Sequence, residues 1–306
     1  MGIEELGLQL YRQTVKRLRP AHVASHWFMT HAIIPSLERA KNFKTIPDDP
    51  FWFRLELLRD KHEPETTQLF ERIVQPGMTV LDIGAHVGYY SRKFAQKVGE
   101  NGRIISFEPH PKTYQTLQQN ISRFSNITTY QVALAEMNGQ AELHDYLVMS
   151  ASGSLNYDPS IEDLQKSIQS KQDVAPRLSD DFQPKTYIVQ TRPVDDCLKE
   201  LNINAIDLIK MDIEGAELGA LRGMRQTIQN SANLMLVMEY NPQALQGFGH
   251  DPVSALFEVM EMGFSSLQAI EPDGSLTNFA LDRPQLEEIT APLMKEMGVL
   301  NVFLQK

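Results

Sequence analysis

Cysteine is almost absent from this sequence, since Cys197 is the only one in 306 residues. No disulfide can form within the chain, which fits a reducing compartment. Long apolar runs are missing too, and none approaches the roughly 20 residues that a membrane-spanning helix needs. The opening residues, MGIEELGLQL, lack the basic segment and long apolar stretch of a secretory signal. We therefore expect a soluble, cytoplasmic protein that has no membrane partner.

Basic residues are in the minority. The chain has 29 Lys and Arg against 39 Asp and Glu, a formal net charge of −10. Nucleic acids and anionic membranes attract proteins with a dense positive field, so neither is expected as a partner. Hydrophobic residues make up 42% of the chain and charged residues 22%, which is typical of a globular protein with a large core.

The sequence divides into two parts of different character. Residues 1–62 show apolar residues at helical spacing and an aromatic stretch, PFWF, at 50–53. We expect an α-helical N-terminal extension there, which is also the expected surface for a homo-oligomer. Residues 63–306 alternate apolar strands with helices, interrupted by a polar, turn-rich insertion at about 150–186. This alternation predicts an α/β domain with a mostly parallel sheet covered by helices on both faces.

The stretch TVLDIGAHVGYYS, at residues 79–91, predicts a buried strand that runs into a glycine-containing turn and a helix. Glycine allows a close approach of backbone to a ligand, and the start of a helix offers free N–H groups. His86 interrupts the Gly-x-Gly-x-x-Gly pattern of dinucleotide sites, and Asp82 would repel a pyrophosphate. Asp82 instead suits a ligand that carries an ammonium group, or it braces the turn.

A second acid follows the next predicted strand. Glu108, in SFEP, comes 20 positions after Gly88, where an acid can accept hydrogen bonds from both ribose hydroxyls. Together with Asp82 it indicates a nucleoside that bears an amine and no phosphate. S-adenosylmethionine fits this description, and its positive sulfonium favours an acidic pocket.

Acids also cluster after a later strand, in KMDIEGAE at residues 210–217. The alternation of side chains along a strand places Lys210 and Asp212 on the same side. Glu214 and Glu217 are also explained by the dipole of the helix that follows, whereas Asp212 is explained less well. The strand after that ends in Glu239 and Asn241.

These motifs occur in the order found in FkbM-type S-adenosylmethionine-dependent methyltransferases, which residues 63–306 resemble. The resemblance is carried by VLDIGAHVGYYS, GRIISFEPHP, VALAE, ASGSL, DLIKMDIEGAE and LVMEYNP, of which KMDIEGAE is the most specific. His86 stands where the family usually has Asn, and Glu136 stands near a frequent Asp. The resemblance implies a Rossmann-like class I fold, with a seven-stranded, mostly parallel sheet whose last strand is antiparallel. It also implies these cofactor-binding residues: Asp82, Gly84, Ala85, His86, Gly88, Glu108, Pro109, Ala133 and Leu134.

The reaction implied by the resemblance is methyl transfer to a hydroxyl oxygen of a small molecule, such as a sugar or a secondary metabolite. An alcohol is a poor nucleophile, so a base or a metal should assist. We expect Asp212 to act as base or to orient the hydroxyl, with Lys210 positioning it or stabilising an alkoxide. An alternative resembles the Mg²⁺-dependent catechol O-methyltransferases and would use Asp212, Glu239 and Asn241 as ligands, unless Glu239 and Asn241 only form local hydrogen bonds.

Two other functions stay open at this point. One is N-methylation, although the Asn/Asp-Pro-Pro-Tyr motif of amino-methylating DNA enzymes is absent and KMDIEG stands in its place. The other is a non-catalytic binding module. The joint presence of Asp82, Gly84, Glu108 and Asp212 disfavours such a module, because a dead site has no need of all four.

Overall fold

A computed structural model describes residues 19–146, 150–151, 153–156 and 185–306. The chain divides into two compact units, the first ending at His62 and the second beginning at Glu63. Of the predicted insertion at about 150–186, residues 152 and 157–184 lie outside the described residues. No helix in the described part is long and apolar enough to cross a lipid bilayer.

The first unit is helical. Helix α1 (Arg19–Phe28) continues through a π-helical turn (Met29–Ile33) into α2 (Ile34–Lys41), and α3 spans Phe51–Leu58. A buried ion pair joins α2 to α3, because Arg54 Nη2 lies 3.3 Å from Glu38 Oε1. The same Glu38 oxygen accepts hydrogen bonds from the backbone N–H of Thr45, at 2.9 Å, and from its hydroxyl, at 2.6 Å. Trp27 and Trp52 remain about half exposed, and self-association through this unit stays a prediction.

The second unit contains an eight-stranded sheet in the order β10-β9-β11-β8-β7-β1-β2-β3. Strands β3, β2, β1, β7 and β8 pair in parallel, and β11 is antiparallel to both β8 and β9. The strands are β1 (Thr79–Ile83), β2 (Arg103–Phe107), β3 (Ile127–Tyr130), β7 (Leu208–Met211), β8 (Met235–Tyr240), β9 (Ser266–Ile270), β10 (Leu276–Asn278) and β11 (Leu300–Gln305). The predicted seven strands, with an antiparallel last strand, are confirmed, and the short β10 adds an eighth at the edge.

Several helices of this unit begin at residues that favour the start of a helix. In the described part of this unit the helices are α4 (Pro64–Ile73), α5 (Tyr89–Val98), α6 (Pro111–Ile121), α7 (Val194–Glu200), α8 (Glu217–Arg222), α9 (Arg225–Asn230), α10 (Pro242–Gly247), α11 (Pro252–Glu261) and α12 (Arg283–Glu296). Four of them, α6, α10, α11 and α12, have proline in the first turn and a side chain that caps the helix: His110, Asn241, Asp251 and Asp282. Proline has no N–H to lose there, and the cap satisfies an otherwise unpaired donor.

A second sheet of three strands has the order β4-β6-β5. Its strands are β4 (Ala133–Leu134), β5 (Gly139–Asp145) and β6 (Lys185–Arg192). β4 pairs in parallel with β6, and β5 pairs with β6 antiparallel, so the predicted insertion lies between the two strands of this hairpin. β4 therefore ties the hairpin to the chain that follows β3.

The core lies between the main sheet and its helices. Leu81, Ile83, Ile209, Leu236 and Leu304 are all fully buried in one hydrophobic cluster. Because the central strands are covered on both faces, polar side chains are confined mainly to the carboxyl ends of the strands. This places the predicted site residues at one edge of the sheet.

Candidate active site

A row of polar side chains crosses three central strands of the main sheet. The register pairs Asp82 of β1 with Ser106 of β2 on one side and with Lys210 of β7 on the other. Ser91, on α5, donates a hydrogen bond of 2.5 Å to Asp82 Oδ2, and its hydroxyl lies 2.9 Å from that of Ser106. Asp82 is completely buried, and burial raises the pKa of its carboxyl while Lys210 opposes the rise. Asp82 thus connects β1 to α5 through Ser91 and lies beside Lys210.

Lys210 is a buried cation at the centre of this row. Its Nζ donates to the carbonyl oxygen of Gly84 at 2.9 Å and lies 3.6 Å from Asp212 Oδ2 and 3.9 Å from Asp82 Oδ1. Burial alone would lower the pKa of the amine, but the surrounding acids, Asp212 first, raise it above its ordinary value. Lys210 is therefore charged at neutral pH, and it connects the glycine turn to both acids.

Gly84 makes the close approach between β1 and the end of β7 possible. Its φ is +74°, and a Cβ built there would overlap the carbonyl oxygen of Asp212. The backbone N–H of Asp212 donates to the carbonyl of Ile83 at 3.1 Å, so the two strand ends run side by side. Gly84 is required by this contact whatever ligand the turn binds.

This close approach predicts a difference between two glycines that share a left-handed backbone. Gly84→Ala should lower the free energy of unfolding by about 2 kcal/mol more than Gly77→Ala, because only the first introduces an overlap. Gly77 has φ +86° and open space around the added Cβ, so it carries only the backbone strain. Urea titration of both variants measures the difference, and equal losses would contradict the overlap.

Glu108 lies immediately after β2, with both carboxylate oxygens engaged by backbone N–H groups. Oε2 accepts from His86 and Oε1 accepts from His110, each at 2.9 Å. Glu108 is 7% exposed, and burial raises the pKa of its carboxyl to about 7, against the backbone hydrogen bonds from His110 and His86, which lower it. Each oxygen retains a second lone pair, so the carboxylate can still accept hydrogen bonds from a ligand.

A cavity opens beside Glu108, at the carboxyl ends of the strands. Residues from two short described segments, 150–151 and 153–156, line one wall: Ser150, Ala151, Gly153 and Leu155. His86 Nε2 lies 2.5 Å from the Ser150 hydroxyl, which links the first of these segments to the glycine turn.

The predicted cofactor residues divide into those that line the cavity and those that lie behind it. Ala85 and Gly88 pack against α6, where a Cβ on Gly88 would lie 2.7 Å from Leu117 Cδ1. Asp82 and Lys210 do not line the cavity either, although Lys210 is bonded to residues that do. The predicted residues on the cavity wall are Gly84, His86, Glu108, Pro109, Ala133, Leu134 and Asp212.

Asp212 belongs to an acidic group of three residues, Asp212, Glu214 and Glu239, which the sequence analysis identified only in part. One carboxylate oxygen from each of Asp212, Glu214 and Glu239 lies within 4.8 Å of the others. Asn241, predicted beside Glu239 as a metal ligand, is the cap of α10: its Oδ1 accepts from the N–H of Ala244 at 3.0 Å. The cap has a sequence signal, Asn before Pro, whereas the proximity of Glu214 depends on its left-handed backbone, at φ 54°.

Glu63 also lies close enough to interact with Asp212, although the sequence analysis did not include it among the site residues. It precedes α4 with φ 42°, and the Tyr90 hydroxyl donates to its Oε2 at 2.8 Å. Tyr90 also places its ring 5.8 Å from Lys210 Nζ. Burial and then the charge of Asp212 raise the pKa of Glu63. No local pattern in the sequence would connect a residue 149 positions before Asp212 to this group.

Burial keeps several of these acids protonated near neutral pH. It is the main cause that raises the pKa of Glu217 to about 7, of Glu214 to about 8 and of Glu239 to about 10. The charge of Asp212 adds to each shift. Glu217 is held by the N–H groups of Ile213, at 3.1 Å, and Gly215, at 3.3 Å. These clustered acids therefore favour bound protons or a positively charged ligand.

These shifts predict that the ligand-free protein loses stability as the pH rises. An unfolded glutamate titrates near 4.5, so between that value and the raised pKa the folded protein binds more protons. The stability associated with these protons is complete below about pH 4.5. It is lost as the pH rises through the raised pKa values of the folded protein. Between pH 6 and pH 8 the loss should be about 1 kcal/mol or more for each such group, measured as a falling melting temperature.

Two variants test the origin of this pH dependence. Glu239→Gln mimics the protonated side chain and should flatten the decline, while the same change at the exposed Glu261 should leave it unaltered. A wild-type melting temperature that increases from pH 6 to pH 8 would contradict the assignment.

Comparison with known proteins agrees with this geometry. The methyltransferase FkbM domain family matches residues 82–266, which is more than half of the chain. A 2-O-methyltransferase, NoeI, from Sinorhizobium fredii is 26% identical over 70% of this chain and 85% of its own length. Methyltransferase 1 from Beauveria bassiana is 28% identical over 47% of this chain and 57% of its own length.

Among solved structures, a SAM-dependent methyltransferase from Aquifex aeolicus is 14% identical, with a TM-score of 0.40 over 89% of this chain and 97% of that one. That score is too low to equate individual site residues. The family match extends from Asp82 in β1 to Ser266 in β9 and so includes the glycine turn, Glu108 and the acidic group. The chain belongs to the FkbM methyltransferase family and is an S-adenosylmethionine-dependent methyltransferase.

Proposed function

We propose that this enzyme transfers a methyl group to a hydroxyl oxygen of a small molecule, a sugar or a secondary metabolite. The observation that carries the proposal is the placement of Asp212, whose side chain lies on the cavity wall, 38% exposed, with Lys210 behind it at 3.6 Å. The 2-O-methyltransferase NoeI among its relatives supports oxygen as the acceptor atom.

The residues of the cavity fit both the nucleoside part and the sulfonium part of the cofactor. When bound, S-adenosylmethionine supplies an electrophilic methyl group on a positively charged sulfur. Glu108 offers buried carboxylate oxygens for the ribose hydroxyls, and the apolar side chains of Val132, Leu134 and Leu143 line the same cavity. A sulfonium bound near Asp212 would favour the ionised form of the neighbouring acids Glu214 and Glu239, whose pKa values are raised without a ligand.

Asp212 is the proposed base, or the group that orients the acceptor hydroxyl. Its carboxylate is partly exposed and therefore accessible to an acceptor, whereas Asp82 is fully buried. General-base assistance of this kind contributes about 10²–10⁴-fold to a rate. Alignment of the acceptor contributes as well, because the chain must hold oxygen in line with the methyl group.

Lys210 is better placed to support Asp212 than to contact substrate. Its Nζ donates a hydrogen bond to the Gly84 carbonyl and lies 3.6 Å from Asp212 Oδ2, and the residue as a whole is 6% exposed. The buried ammonium group attracts the Asp212 carboxylate and so helps to hold it in place at the cavity wall. We assign Lys210 to positioning of Asp212 and of the glycine turn.

A metal-assisted version of the reaction would use Asp212, Glu214 and Glu239, which supply the hard oxygen ligands that Mg²⁺ prefers. Carboxylates also cluster in proteins without an ion, so no step is assigned to a metal. Chelation separates the two versions: full turnover in EDTA supports Asp212 acting alone. Activity lost in EDTA and restored by Mg²⁺ would replace that role with metal assistance.

The proposal is tested by methyl transfer from isotopically labelled S-adenosylmethionine to a panel of sugars and hydroxylated metabolites, each paired with its amino analogue. The expected product is a methyl ether, identified by mass spectrometry and NMR. Methylation only of the amino analogues would contradict the proposal and favour N-methyl transfer.

A further inference from the structure

His110 is the cap of α6 and also belongs to the cavity wall. It follows Glu108 and Pro109 at the end of β2, lines the cavity and is 9% exposed. Its backbone N–H donates to Glu108 Oε1 at 2.9 Å. The position of His110 therefore determines where one oxygen of that carboxylate lies.

The imidazole ring of His110 is fixed first by α6. Nδ1 accepts the backbone N–H of Thr113 at 3.3 Å and lies 3.1 Å from the Thr113 hydroxyl. A ring nitrogen that accepts an N–H carries no proton itself, so the proton of the neutral ring is assigned to Nε2. The helix cap thus sets the tautomer and directs the only ring donor away from α6.

The other side of the ring meets the second sheet. Nε2 lies 3.3 Å from Asp145 Oδ2 at the end of β5, and Tyr187 of β6 contacts the ring edge-to-face at 4.7 Å between centroids. The side chains of His110 and Asp145 are 11% and 14% exposed, respectively. Within the described residues, Nε2 has no acceptor in good hydrogen-bond alignment, so the attraction to Asp145 is electrostatic. His110 thus contacts both the β5–β6 hairpin, through Asp145 and Tyr187, and the Glu108 carboxylate.

We propose that His110 is a positioning residue for cofactor binding, which fixes the Glu108 carboxylate toward the ribose and anchors it to the second sheet through Asp145. The proposal rests on the role of Glu108 proposed above. It predicts that the contact between Asp145 of the β5–β6 hairpin and His110 affects cofactor affinity through the ribose.

The test compares binding of S-adenosylhomocysteine with that of its 2′,3′-dideoxy analogue, by equilibrium dialysis. His110→Asn keeps a cap for Thr113 but removes Nε2. It should weaken binding of S-adenosylhomocysteine about five- to tenfold, the effect of losing one hydrogen bond between a displaced Glu108 carboxylate and the ribose. The dideoxy analogue should bind the variant and the wild type equally, because it has no hydroxyls for Glu108. A merely structural defect would weaken both ligands alike.

Two further variants complete the design. Asp145→Ala should show the same ligand-specific loss, and the double variant should lose no more than either single one. His144→Asn is the matched control, because His144 neighbours Asp145 on β5 but is not among the residues that line the cavity. It should bind both ligands as the wild type does.

The outcomes separate this inference from the proposed function. Unchanged affinity for S-adenosylhomocysteine in Glu108→Gln would refute the ribose role of Glu108 itself. If Glu108→Gln weakens binding and His110→Asn does not, or if His110→Asn weakens both ligands equally, only the positioning role of His110 is overturned.

Discussion

Replacement of Asp212 by asparagine is expected to lower kcat for methyl transfer by about 10²–10⁴-fold, the usual contribution of a general base. Asparagine keeps the size of the side chain and its place at the end of β7, but it cannot take a proton from the acceptor hydroxyl. Cofactor affinity should be retained, since Glu108 and the glycine turn are unaltered. Single-turnover kinetics with saturating S-adenosylmethionine measures the chemical step directly.

The Asp212 prediction has a graded control in Asp212→Glu. This variant restores the carboxylate on a longer side chain and should recover part of the lost rate, whereas Asp212→Asn should not. A kcat for Asp212→Asn within about threefold of the wild type would rule out Asp212 as the base, because that loss is below the range for general-base catalysis.

Replacement of Lys210 by methionine is expected to destabilise the protein by about 3–5 kcal/mol, the typical cost of breaking a buried ion pair from one side. Methionine has a similar length and fills the space, so the loss reflects charge. Asp82 would remain at 0% exposure with no cation beside it, and Gly84 would lose a hydrogen bond of 2.9 Å at its carbonyl. Urea unfolding at pH 7 measures the change.

The pH dependence of this destabilisation identifies its cause. Burial already raises the pKa of Asp82, and removal of Lys210, which opposes that rise, should raise it further. The folded variant then takes up a proton as the pH falls, so the destabilisation should be smaller at pH 5 than at pH 8. Lys199→Met, on the exposed side of α7, should have little effect. A Lys210→Met penalty that is constant with pH would point to lost packing instead.

Much of this site could be predicted because its parts are local in sequence. Glu108 and Asp212 each follow an apolar strand, and Asp82 lies one residue before the end of another. Parallel strands place their carboxyl ends at one edge of the sheet. Alternation along β7 was sufficient to bring Lys210 and Asp212 together, which the 3.6 Å separation bears out. The fold class followed from the same regular alternation of strands and helices.

The remainder depends on information that no short window of sequence contains. Whether Asp82 faces a ligand or the protein interior depends on the cross-strand register and on α5, which supplies Ser91. Glu63 joins the acidic group only through tertiary packing with Tyr90. Glu214 approaches Glu239 because its backbone is left-handed, a conformation that the residue type alone does not predict.

The position of Glu63 limits how this chain can be shortened. It is the first residue of the second unit and the acceptor for the Tyr90 hydroxyl, so one carboxylate near the candidate base lies at the division between the units. A truncation that starts at Pro64 would keep all of α4 and every strand of the sheet, yet it would remove that acceptor. The second unit, if expressed separately, should begin upstream of Glu63 so that this residue is held by the chain on both sides.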